Sequence, residues 1–187
     1  MRPPYHPKDT YGIVAQVLHW TIAAAVFVQI ALGLYSAGLP VSMARLQWLS
    51  RHKSLGIAIL ALALFRLGWR MLNRAPALPQ SMPGWERHAA LINHALLYAL
   101  LVVVPLSGWL HASAAGLSVN WFGLFLVPDL IPQEKTAAEF WRATHRTCVF
   151  LLALLLALHI GAALRHALVL RDGIVYRMLP WKPRKTT

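Results

Sequence analysis

The chemistry this chain can do rests on its histidines. Two of them, His145 and His159, lie fourteen residues apart in the apolar run from Trp141 to His166. On a helix turning about 100° per residue, that interval falls roughly 40° short of four turns and climbs about 21 Å. The two rings therefore share one face at two depths. Ionisable rings at both edges of a membrane helix need partners, because an unsatisfied polar group in hydrocarbon costs several kcal/mol. Sorted by depth, the other histidines supply them. His52, with His111 in reserve, falls at the level of His145; His19, with His94 and His166 nearby, falls at the level of His159. A haem iron takes two axial nitrogens on opposite faces of a porphyrin, hence from two helices at one depth. Two levels, each with a pair from different helices, are what two stacked bis-histidine haems require. Zinc gathers about four ligands at one point, usually with thiolates in structural sites, and scattered pairs do not provide that. Hydrogen bonding across a helix interface explains any single one of these residues better than it explains four at matched depths. Cys148 is alone, so there is no disulfide, no zinc pattern and no Cys-x-x-Cys-His for covalent attachment. Any haem is expected to be held by coordination and packing.

The elements that position these rings follow from hydropathy. The 187 residues are 58% hydrophobic, and the mean hydropathy of +0.52 lies above the usual globular range. Four apolar segments, about Ile13 to Tyr35, Ser54 to Leu72, Ala89 to Ala112 and Ala143 to Leu168, are long enough to cross about 30 Å of hydrocarbon. Backbone groups in lipid must bond internally, which predicts an all-α bundle of four transmembrane helices over residues 11–170. Residues 1–10 read as a tail with a solvated His6, and residues 171–187 as a basic tail with Trp181 as a headgroup anchor. The first apolar segment is far longer than the 7 to 15 residues usual in a signal peptide and is kept as an uncleaved span. Arg66 and Arg70, near the end of the second, are expected to snorkel to the headgroups. Gly56 follows His52 by one turn, leaving room for a flat group or for close helix packing. Pro105 is expected to kink the third span locally. Residues 113–140 read as a long outer loop that lies in the interface or caps the bundle.

The net charge of +12 sits at the ends of the apolar spans, which argues for a membrane and against nucleic acid as partner. Twelve cationic residues fall on the side of the two tails and the link between spans two and three, and six fall opposite. The positive-inside rule then puts both termini in the cytoplasm. Among the six, Arg45, Arg51, Lys53, Arg142 and Arg146 surround the outer histidine level. Such a ring can steer an anion, and Arg51 and Lys53 can equally neutralise haem propionates.

His19-Trp20, the run Arg51-His52-Lys53-Ser54-Leu55-Gly56, the His145 to His159 spacing and Met178-Leu179-Pro180 together resemble the bacterial cytochrome b561 family. That family is akin to the cytochrome b subunits of nickel-iron hydrogenase and formate dehydrogenase. The resemblance covers about residues 11–182. It implies a multi-pass, di-haem b protein of the bacterial inner membrane, with His52 and His145 on the periplasmic haem and His19 and His159 on the cytoplasmic one. His94 matches the family's span-three histidine, lining the inner haem or replacing His19 as ligand; His111 has no family counterpart and reads as interfacial. The resemblance further implies a ubiquinone headgroup at His166, with Arg87, Arg165 and Trp181 as neighbours. Superoxide is the implied donor, oxidised to oxygen as its electron passes to ubiquinone. The alternative is an electron-transfer subunit that docks a periplasmic redox protein or a hydrogenase-like partner. Whether two chains pair is left open.

Overall fold

A computed structural model describes residues 10–73, 76–77 and 82–179. Its frame is four long helices: α1, Ile13–Gly38; α2, Met43–Leu72; α3, Gly84–Ala114; and α4, Lys135–Leu164. All four are long and apolar enough to cross a membrane. Consecutive helices pack as antiparallel neighbours, α1 on α2, α2 on α3 and α3 on α4. Their shared core is Ile22, Val26, Ile59 and Leu152, with Leu97, Leu101 and Leu156 against it. Large apolar side chains such as Phe27, Phe65, Leu96 and Phe150 point outward instead. A soluble bundle would hide them; a bundle in lipid has no reason to.

The helices outrun the apolar windows that reveal them. The second starts at Met43 rather than Ser54, so most of the expected outer loop is its first three turns. At 30 residues α2 is about 45 Å long, half as long again as the hydrocarbon is thick. Met, Ala, Arg, Leu and Gln are strong helix formers that carry the backbone past the membrane edge, and the Ser42 hydroxyl accepts from Arg45 N to start the helix. At the other outer start, the Glu134 carboxylate accepts from Thr136 N and Ala137 N, which sets the beginning of α4 at Lys135 instead of Ala143. α3 runs through Pro105 without a break in its assignment.

Between α3 and α4 the expected long loop contains a hairpin. β1, Val119–Trp121, pairs antiparallel with β2, Phe125–Val127, Val119 lying opposite Val127. Positive φ at Phe122 (48°) and Gly123 (80°) turns the chain. The hairpin caps the bundle: Val119 and Val127 bury against Ala112, beside Ile57 and Trp109. Ser54 Oγ donates to Asn120 O and accepts from Phe122 N, and Lys53 Nζ donates to the carbonyls of Leu117 and Ser118.

The opposite end carries both tails. After α4 the chain makes a π-helical turn, Arg165–Leu170, then a 3-10 turn, Val175–Met178. That second turn docks on the start of α1: Tyr11 N and Gln16 Nε2 donate to Arg177 O, and Trp20 Nε1 donates to Met178 O at 2.8 Å. The beginning of the expected basic tail is thus packed structure. Trp181 lies outside the described residues.

Candidate functional site

At the hairpin end, α2 and α4 bring His52 and His145 together, with ring centres 6.3 Å apart and planes at 89°. Each ring is seated on the neighbouring helix by the same device. His52 Nδ1 lies 3.2 Å from Gln29 O in α1, and a Cβ on Gly33, one turn further on, would come within 3.0 Å of the His52 ring. His145 Nδ1 lies 2.9 Å from Val104 O in α3, and a Cβ on Gly108 would come within 3.1 Å of the His145 ring. In both, a helix carbonyl takes the Nδ1 proton and the glycine four residues later leaves space for the imidazole. The bond to the carbonyl fixes the tautomer, so Nε2 keeps its lone pair. At His52 that nitrogen is met by Gln29 Nε2 at 3.3 Å, and Gln29 Oε1 is buried without a partner among the described residues. The two rings line a cavity of about 120 Å³ with Gly56, Gly108 and His111.

At the tail end, α1 and α4 bring His19 and His159 to 6.2 Å between ring centres, with planes at 70°. His94 of α3 stands 5.3 Å from His159, its Nδ1 turned to Ala90 O of its own helix. These separations carry information. A metal about 2 Å from each Nε2, with a further 1.2 Å or so from nitrogen to ring centre, holds two imidazoles with centres about 6.4 Å apart. The His52–His145 and His19–His159 spacings fit an iron between the rings; the His94–His159 spacing is too short for one. The residues present thus suit axial ligation at two levels.

Arg66 is half-buried against Tyr98, while Arg70 stays exposed beside the same ring. Arg66 Nε donates to Tyr98 Oη at 3.0 Å, and both guanidinium carbons lie about the Tyr98 ring, 5.6 and 5.5 Å from its centre. Of the outer cations, Arg51 stacks on Trp48 at 4.3 Å and Lys53 is taken up by the hairpin carbonyls. Arg142 and Arg146 follow along the start of α4, and Arg45 lies in the first turn of α2. His111 Nδ1 is 3.0 Å from Ala138 O, which ties α3 to α4 beside the cavity. At the other end His166 lies in the π turn with its Nδ1 on Asp172 Oδ2, while Asp172 Oδ1 accepts from Ile174 N. Arg165 pairs with Glu86 at 3.0 Å, next to Arg87.

Sequence reasoning missed Gly33, Gly108, Val104, Tyr98 and Asp172. The glycines had a readable signal, since each stands at helical spacing inside an apolar run at the depth of a histidine on the next helix. The carbonyls had none, because every residue has one.

Four lipid-facing helices that hold imidazole pairs between them define a membrane protein of the b-type cytochrome class. The chain belongs to the prokaryotic cytochrome b561 family, whose description matches it over residues 10–181. It is 30% identical over 175 residues to the Escherichia coli K12 protein named cytochrome b561 homolog 2, covering 91% of this chain and 92% of that one. It is 29% identical over 129 residues to cytochrome b561 homolog 1 of the same organism, covering 69% and 73%. It is also 29% identical over 131 residues to a Yersinia pestis protein named probable superoxide oxidase CybB, covering 70% and 74%. Membership makes this a multi-pass protein of the inner membrane that binds b-type haem and takes part in electron transfer.

Proposed function

We propose that the chain is a di-haem cytochrome b561 that carries electrons across the inner membrane from periplasmic superoxide to ubiquinone, with both termini in the cytoplasm. The observation that carries this reading is the pair of imidazole spacings, 6.3 and 6.2 Å, each made between two helices at opposite ends of the bundle. His52 and His145 would hold haem b on the periplasmic side, and His19 and His159 on the cytoplasmic side. His94 lines the inner site. When bound, haem b supplies a one-electron couple at each level. The protein's own part is to hold Nε2 of each histidine in place, and two imidazoles per haem would leave the iron to electron transfer rather than oxygen binding.

Outside, the ring of cations draws in the anionic donor. Arg51 and Lys53 have partners in Trp48 and the hairpin, so steering falls chiefly to Arg45, Arg142 and Arg146. A relative named as a probable superoxide oxidase supports this donor. Inside, His166 meets the quinone headgroup, with Arg87, Arg165 and Trp181 as neighbours. Asp172 Oδ2 holds Nδ1 of His166, and with both ring nitrogens protonated the Nε2 proton is the one that can be passed to a carbonyl oxygen. Two superoxide ions would give two oxygen molecules, and their two electrons, with two protons taken up from the cytoplasm, would turn one quinone into quinol.

The second reading is a membrane subunit that docks a periplasmic redox protein. Phe122, Leu124, Phe125 and Leu126 stand exposed on the hairpin, an apolar face that suits such a partner. A reduced-minus-oxidised spectrum of the purified chain should show two b haems per chain. Stopped-flow mixing with superoxide then separates the readings: reduction of the isolated protein faster than spontaneous dismutation supports the oxidase, and reduction no faster than dismutation rejects it in favour of docking.

A further inference from the structure

A second recess, of about 200 Å³, opens at the tail end between α1, α2 and α3, and it includes Tyr11, Ala15, Arg66, Trp69, Arg70 and Tyr98 in its wall. Two guanidiniums stand about the one Tyr98 ring there, and Arg66 is half-buried. The recess wall holds no carboxylate among the described residues. Among the described residues the acidic partners are spent elsewhere, Glu86 on Arg165 and Asp172 on His166. Arg70 is exposed, and two like charges beside one ring repel each other, which anionic oxygen between them would relieve. The recess lies directly on the tail side of the inner histidines. Ala15, in its wall, is one turn before His19 on α1.

We infer that Arg66 and Arg70, aided by the Tyr98 hydroxyl, bind the two propionate carboxylates of the haem held at the tail end. This rests on the reading of His19 and His159 as that haem's ligands. Haem b brings two carboxylates on one edge of its ring, and the recess offers two guanidiniums beside the ring's site. Arginine suits carboxylates because its planar fork can donate two parallel hydrogen bonds. With Arg66 Nε already given to Tyr98, its terminal nitrogens are the ones left to donate. A phosphate from an anionic lipid shares this oxygen chemistry, but would reach the recess from the headgroup side.

The test uses the full-length protein and two readouts. In redox titration of the holoprotein, Arg70→Gln, and Arg66→Gln combined with it, should favour the ferric form of the tail-end haem by roughly tenfold per charge removed, the scale of one charge acting across about 12 Å of partly shielded protein. The hairpin-end haem should not move. In the His52→Ala background, which leaves the tail-end site alone, the apoprotein should take up haem dimethyl ester at least about tenfold more weakly than haem b, and the arginine changes should abolish that preference. Arg70→Gln sits at the exposed end of α2 and keeps the test sound if the double variant does not fold. Equal uptake of ester and haem, or an unmoved tail-end potential, overturns the assignment. So does loss of copurified phosphatidylglycerol from the variants with both potentials standing, which gives the recess to a lipid. Should His19→Ala keep two haems, the ligand reading itself fails and the clamp with it, an outcome distinct from the others.

Discussion

A helix carbonyl and a glycine four residues later form the seat of each hairpin-end histidine, and the pattern is repeated on two helix pairs: Gln29 and Gly33 under His52, Val104 and Gly108 under His145. Groups that orient a metal ligand typically contribute 10–100-fold to metal affinity. Gly108→Ala puts a Cβ about 3 Å from the His145 ring, so that ring must tilt. The expected outcome is weaker retention of the hairpin-end haem by a factor in that range, with tail-end haem intact. The ferric electron paramagnetic resonance signal reports it, since its anisotropy depends on the angle between imidazole planes, 89° here. An unchanged signal and a full haem complement would remove the glycine from the site. Single replacement of His145 or His52 by alanine should cost one haem, and of His159 or His19 the other, with the wave that disappears from a redox titration naming the level. Asp172→Asn should slow quinone reduction without altering haem content or the dithionite-reduced spectrum, because it changes the partner of His166 Nδ1 and touches no proposed haem ligand.

Among the elements, the hairpin and the start of α4 are held by single side chains. Ser54 is 1% exposed and satisfies both a carbonyl and an amide of the hairpin. Ser54→Ala leaves both unmet, at about 1–3 kcal/mol, and should lower the thermal midpoint while loosening hydrogen-exchange protection at Phe122 N. Glu134 caps α4, and the amides of Thr136 and Ala137 hold its carboxyl below the usual range. A lowered folded-state pKa makes the capping stabilisation fully present above the ordinary carboxylate range and lost as pH falls through the lowered value. Thermal midpoints of the wild type and Glu134→Gln should therefore differ at pH 7 and converge in acid. A gap that persists at low pH would show the cap to be dispensable. The starts of α2 and α4 escaped the hydropathy windows because helix propensity and capping, not apolarity, extend a helix into water.

On the proposed function, the whole molecule is a series of sites across a bilayer, with cations at the end where the anion would arrive and His166 with Asp172 at the end where protons would be needed. If steering is real, reduction by superoxide should slow with added salt, and Arg45→Gln, Arg142→Gln and Arg146→Gln should each slow it and flatten the salt dependence. A rate indifferent to ionic strength would leave those arginines to orient the protein in the membrane alone.

By itself the sequence determined four lipid-exposed helices and two histidine levels, because hydropathy and a rise of about 1.5 Å per residue act along one chain and need no partner to be read. Only the tertiary structure decided which rings face each other. His94 and His19 both stand near His159, and their separations of 5.3 and 6.2 Å depend on how α1 and α3 lean on α4, which no spacing within one helix encodes. The same holds for Arg66 and Arg70. Along α2 they look like residues bound for the headgroups, and it takes Tyr98 on the next helix to draw Arg66 into a half-buried bond, with Arg70 beside the same ring.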